Sequence, residues 1–156
     1  MIRLMIIVIF VINSLFAISE DDNKYIYVET KQCFIPIPKF LEKGNVGKPF
    51  EYNYNYTNPK NMAMNSLRVF YDNEENYNSY IEKWLKYIPK QKLEKKQSLN
   101  GFTIAHIKDI EYSDINHILY YNDMIITMIN FNENELNHLI DYCNKTKKGK
   151  RGQSPP

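Results

Sequence analysis

An α+β domain, with an antiparallel sheet of six to seven strands packed against two helices at about residues 74–88 and 133–144, is the fold class this sequence predicts. Three observations carry it. Short segments alternate apolar and polar residues with a period of two, as in Glu51 to Thr57 (EYNYNYT). At two places the period changes to that of a helix, over Tyr77, Tyr80, Ile81, Trp84, Leu85 and Ile88, and over Leu136, Leu139, Ile140 and Cys143. Finally, 156 residues with 24% charged and 44% hydrophobic composition suit one small domain and exclude a collagen, a mucin-like stalk or a disordered chain.

Taken in order, Lys24 to Thr30 alternates and reads as a short strand. In Lys31 to Leu41, Cys33, Ile35 and Ile37 share one face while Pro36 and Pro38 remove two backbone donors. This piece must therefore lie at a sheet edge or outside the sheet. Gly44, Gly47 and Pro49 mark a loop, Glu51 to Thr57 is a strand, Asn58 to Asn65 connects, and Ser66 to Tyr71 is the antiparallel partner. The first helix follows Asp72 and Glu75, whose charges favour its start, and Pro89 ends it. Four strands come next, over Lys92 to Leu99, Phe102 to Ile110, Asn116 to Tyr121 and Met124 to Phe131. Asn122 and Asp123 form the tight turn between the last two. Asn132 then caps the second helix, with Glu135 three residues on in capping-box spacing.

The two ends carry separate signals. Arg3, the apolar run Leu4 to Ile12 and the small residues Ala17 and Ser19 read as a secretory signal peptide over residues 1–19, cleaved before Glu20. That run falls short of the roughly 20 apolar residues a membrane span needs, so no stable membrane anchor is expected after cleavage. Residues 20–144 form the single domain, and residues 145–156 a basic tail expected to be disordered. Without Arg3 and the five basic residues Lys145, Lys147, Lys148, Lys150 and Arg151, the chain's 20 Lys and Arg fall to 14, against 18 acidic residues. A mildly acidic domain without spread basic residues does not read as nucleic-acid binding.

Two cysteines in an exported chain favour a Cys33–Cys143 disulfide, which would stabilise the fold by about 2–4 kcal/mol. Because Cys143 shares the apolar stripe of the last helix, that helix must pack inward, as the pairing requires. The alternative is two buried thiols.

No residue pattern names a reaction. His106, His117 and His138 stand in different elements, and the chain has no HxxxH, HxH or CxxC spacing, so no metal and no cofactor are expected. His106 and His117 read as hydrogen-bonded, partly buried structural histidines, and His138 as solvated. The serines lack a GxSxG elbow, and the five glycines form neither GxGxxG nor GxxxxGK. Carboxylates such as Asp109, Glu111 and Asp114 are clustered, and a hydrolase could use two of them as acid and base, although such a cluster in a turn is usually solvated. The 13 tyrosines leave one open question. The stripe Tyr52, Tyr54 and Tyr56 reads either as a sheet face covered by the helices, which is the simpler reading, or as an exposed binding surface. The 19 asparagines are scattered through patterned elements and read as a compositional bias.

The segment Cys33-Phe34-Ile35-Pro36-Ile37-Pro38-Lys39-Phe40, followed by strands, a Trp-containing helix, a meander and a closing helix, resembles the Mog1/PsbP-like group, including its exported bacterial DcrB-type proteins. The resemblance implies a sandwich-like α+β domain that acts by binding rather than by catalysis, and it transfers no functional residues. The late cysteine and the basic tail depart from it. The expectation is an exported, periplasmic or secreted, non-enzymatic domain that holds another protein, a toxin-neutralising immunity-type protein being one form. A small secreted hydrolase, using carboxylates or an assembled His site, and a carrier of an apolar ligand are the alternatives.

Overall fold

The computed structural model describes residues 23–111 and 115–147. The expected leader, Asp114 and residues 148–156 lie outside the described residues. The α+β expectation holds. Eleven elements follow the chain: β1 (Tyr25–Glu29), β2 (Phe34–Pro38), β3 (Glu42–Lys43), β4 (Phe50–Thr57), β5 (Met64–Tyr71), α1 (Glu74–Tyr87), β6 (Gln91–Leu99), β7 (Phe102–Asp109), β8 (Ile115–Tyr121), β9 (Met124–Ile129) and α2 (Glu133–Lys145).

Seven strands form one antiparallel sheet in the order β3-β4-β5-β9-β8-β7-β6, while β1 and β2 form a separate two-stranded sheet. The prolines explain the separation. Pro36 and Pro38 have no N–H to offer a central ladder, and in the hairpin they face Tyr27 and Tyr25. The meander from β6 to β9 returns the chain so that β9 pairs with β5 at the sheet centre. Its tight turns use residues that tolerate left-handed backbone: Asn100 at φ 52° and Gly101 at φ 87°, then Asn122 at φ 46° and Asp123 at φ 61°. β3 was not expected. Two residues are too few to show a period, and their pairing with Tyr54 and Asn55 is what creates the strand.

The sheet is buried on both faces because its strands alternate between two cores. Tyr77 and Ile81 of α1 cover Phe70, Ala105, Ile107, Ile118 and Ile125 on one face. On the other, β2 and α2 pack on Leu67, Val69, Ile104, Leu119, Ile126 and Met128. The two helices thus lie on opposite faces, with the β1–β2 hairpin sharing the α2 layer. Each fully buried Leu or Ile contributes about 1.5–3 kcal/mol. Trp84 sits at the margin of its core, half-buried, and its indole N–H donates to Gln91 Oε1.

The Cys33–Cys143 disulfide is present, with Cα atoms 5.0 Å apart and both residues fully buried. It fastens the hairpin to α2. Thr146 strengthens the same junction by accepting from the Phe34 amide at 3.0 Å. Beyond Cys143, Lys145 completes α2, Thr146 caps the helix, and Lys147 Nζ sits 4.9 Å from the Tyr121 ring centre.

Candidate functional site

The tyrosine stripe projects toward the α2 face, and the layer that covers it is the hairpin rather than the helices. Tyr54 is buried with Ile35, Ile37 and Leu41. Tyr52 is half-buried and donates to the Glu29 carbonyl at 2.7 Å. Tyr56 keeps 37% of its surface and meets Phe40 edge-on. The structure thus leaves Tyr56, alone of the three, broadly open to a partner.

The expected carboxylate cluster is drawn into local contacts. Glu111 pairs with Lys90 at 2.6 Å, and Asp109 accepts from the Glu111 amide at 2.9 Å and from Gln91 Nε2 at 3.4 Å. Asp114 is outside the described residues. His138 differs from its reading as solvated. It is half-buried because the hairpin lies against α2, and its ring stacks on Tyr25 with centres 4.5 Å apart.

His106 and His117, far from separate, are direct cross-strand partners on β7 and β8. Both face the α2 layer, since His106 alternates with Ile104 and His117 with Leu119. They are 0% and 1% exposed, and their Nδ1 atoms lie 3.1 Å apart. His117 Nε2 lies 3.1 Å from the Phe131 carbonyl, which can only accept, so this nitrogen carries the hydrogen. In the neutral ring Nδ1 is then an acceptor, and His106 Nδ1–H donates to it. His106 Nε2 is left a bare, buried lone pair without a partner. Burial lowers the pKa of His106, with Lys95 acting the same way against Glu133 and Glu94. Burial, then the neighbouring His106, pushes His117 down to about 4. The pair is neutral and fixed in one tautomer at neutral pH. Among the described residues no three His, Cys, Asp or Glu side chains are placed to hold a metal ion.

His117 also lines a cleft of about 650 Å3 at the end of the sheet from which α2 starts. Asn61 and Ala63 of the β4–β5 loop form one wall with Asn65 of β5, and Ile115 of β8 lies beside His117. Asn130, Phe131, Asn132 and Glu133 lead into α2 on the other side. The four asparagines are each half tied. Asn61 Oδ1 accepts from the Ala63 amide at 3.1 Å, and Asn132 Oδ1 from the Glu135 amide at 3.0 Å. Asn65 Nδ2 donates to the Asn130 carbonyl at 2.6 Å, and Asn130 Nδ2 to the Met64 carbonyl at 2.9 Å. Of the asparagine amides, the groups that remain for a ligand are two donors, Asn61 Nδ2 and Asn132 Nδ2, and two acceptors, Asn65 Oδ1 and Asn130 Oδ1, beside the half-exposed Glu133 carboxylate.

Sequence reasoning missed this site because its asparagines come from two segments far apart in the chain, residues 61–65 and 130–132. One signal was available: Asn130 breaks the end of β9 at φ 59°, a conformation asparagine adopts more readily than most residues. No family model matches this chain, and no curated protein matches it.

Proposed function

We propose that the chain is an exported, non-enzymatic protein-binding domain that takes a peptide segment of its partner into the asparagine cleft. The observation that carries this reading is the amide set just described. Two donors and two acceptors match the alternating C=O and N–H groups of a peptide backbone, and neither charge nor a nucleophile is required of such a site. Three facts add support. The buried disulfide suits an oxidising compartment, no helix of the described residues is long and apolar enough to cross a membrane, and Asp109 and Glu111, two of the carboxylates a hydrolase would use, are engaged in local contacts. The resemblance to the Mog1/PsbP-like group belongs to this reading, since it implies binding. Neutralisation of a toxin is the specific form we propose for that binding.

Replacing Ala63 by Trp tests it, because Ala63 lines the cleft with a single methyl group and contributes only backbone hydrogen bonds. Affinity capture from the exported fraction of the producing cells should retain one protein on the wild-type domain and lose it on A63W, with thermal unfolding unchanged. Equal retention by both would move the site elsewhere. Retention of nothing specific by either would contradict the binding function itself.

A further inference from the structure

At one edge of the large sheet β3 is only two residues long, whereas at the other β6 runs for nine, and no described strand pairs with its outer side. Half of its backbone N–H and C=O groups therefore point away from the sheet, a template for one more strand. The register shift between Leu93 and Lys95 leaves Glu94, the single carboxylate of this strand, opposite no residue of β7.

The side chains state which strand would fit. Lys92 lies directly across from Lys108 of β7, and Lys95 across from His106, so these three lysines share the face that also carries α2. Like charges placed directly opposite destabilise a sheet. None of the three lysines has a salt bridge among the described residues, where the one Lys–carboxylate pair is Lys90 with Glu111. By contrast, Lys96 on the opposite face is occupied, donating to Asn78 Oδ1 at 2.9 Å. A second copy of β6 would bring lysines against lysines, so self-pairing is disfavoured. An acidic strand would turn the same repulsion into attraction and would also hydrogen-bond the open edge.

We propose that β6 is a docking edge for an extended acidic segment of a partner protein, its carboxylates set against Lys92 and Lys95, with Lys108 of the neighbouring strand adding to the positive charge of that face. This rests on the binding function proposed above but not on the cleft, and it supplies a second, independently testable contact.

The probe is a nine-residue synthetic peptide of alternating Glu and Val, compared with its Lys–Val counterpart and with a single-stranded oligonucleotide. Binding is followed by amide hydrogen exchange and chemical shifts of the 15N-labelled domain. The acidic peptide should slow exchange at outward-facing amides of β6 and bind at least tenfold more tightly than the basic one. The triple variant K92Q/K95Q/K108Q should lose that tenfold preference while unfolding no more easily than wild type, because a repulsive pair has been removed. A63W should bind the acidic peptide as wild type does, so failure of the cleft and failure of the edge are distinguishable. Equal binding of both peptides, unchanged binding by the triple variant, or β6 contacts between copies of the domain would overturn the proposal. So would binding of the oligonucleotide in preference to the acidic peptide without protection of β6 amides.

Discussion

His117 uses both ring nitrogens inside the fold, one on Phe131 and one on His106, and that choice fixes how stability responds to acid. Its pKa falls from 6.5 when unfolded to about 4 when folded. The unfolded chain therefore takes up a proton first as pH drops. The stabilisation is fully present above pH 6.5 and is lost as pH falls toward 4, by about 3 kcal/mol from this residue. His106 is shifted in the same direction. Urea unfolding at pH 7, 5.5 and 4 should show a falling midpoint, and the His117 ring proton should titrate near pH 4; a midpoint that stays constant over this range contradicts the assignment. The sequence reading of these two residues as hydrogen-bonded and structural agrees with the geometry. Their mutual contact was out of reach because it needs the β7–β8 register, which the unpatterned connection between those strands does not fix.

α2 shows how much an element can disclose before it is seen. Asn132 and Glu135 at capping-box spacing marked its start, and both bonds are formed: the Glu135 amide to Asn132 Oδ1 at 3.0 Å and the Asn132 amide to Glu135 Oε2 at 2.9 Å. The stripe of Leu136, Leu139, Ile140 and Cys143 marked its buried face, and all four are buried. Asn132→Ala removes the side chain that accepts the orphan amide, so we expect a loss of about 1 kcal/mol in unfolding free energy, measured by denaturant titration. No measurable loss would mean the cap contributes nothing. Strands β4 to β9 were equally legible, β4 and β5 by their alternation and β6 to β9 as short runs bounded by turn residues. What periodicity does not encode is which layer covers which face. Tyr52 to Tyr56 alternate cleanly, yet whether helix or hairpin lies over them depends on long-range packing such as the bond from the Tyr52 hydroxyl to the Glu29 carbonyl. The cleft asparagines were hidden for the same reason, being gathered from two distant segments by folding alone.

On the scale of the whole molecule, the layers differ in how they are attached. α1 follows β5 after a two-residue connection and leads directly to the edge strand β6, while the hairpin joins the body through packing and the bond from Cys33 to Cys143, 110 residues apart in sequence. Reducing that bond should lower stability by about 2–4 kcal/mol. The loss should fall first on β1 and β2, as faster amide exchange there than in β5, β8 and β9; uniform loosening would instead indicate that packing alone secures the hairpin. The cleft lies where α2 meets the central strands, so a partner bound there is held by the most deeply anchored part of the molecule. The most direct test of this account is a photo-crosslinking amino acid at position 63, in the loop wall of the cleft, activated in the producing cells. A single crosslinked protein, absent when the same group is placed at Tyr87 on the exposed end of α1, is the result the account predicts. Identical crosslinks from both positions, or none from position 63, would contradict it.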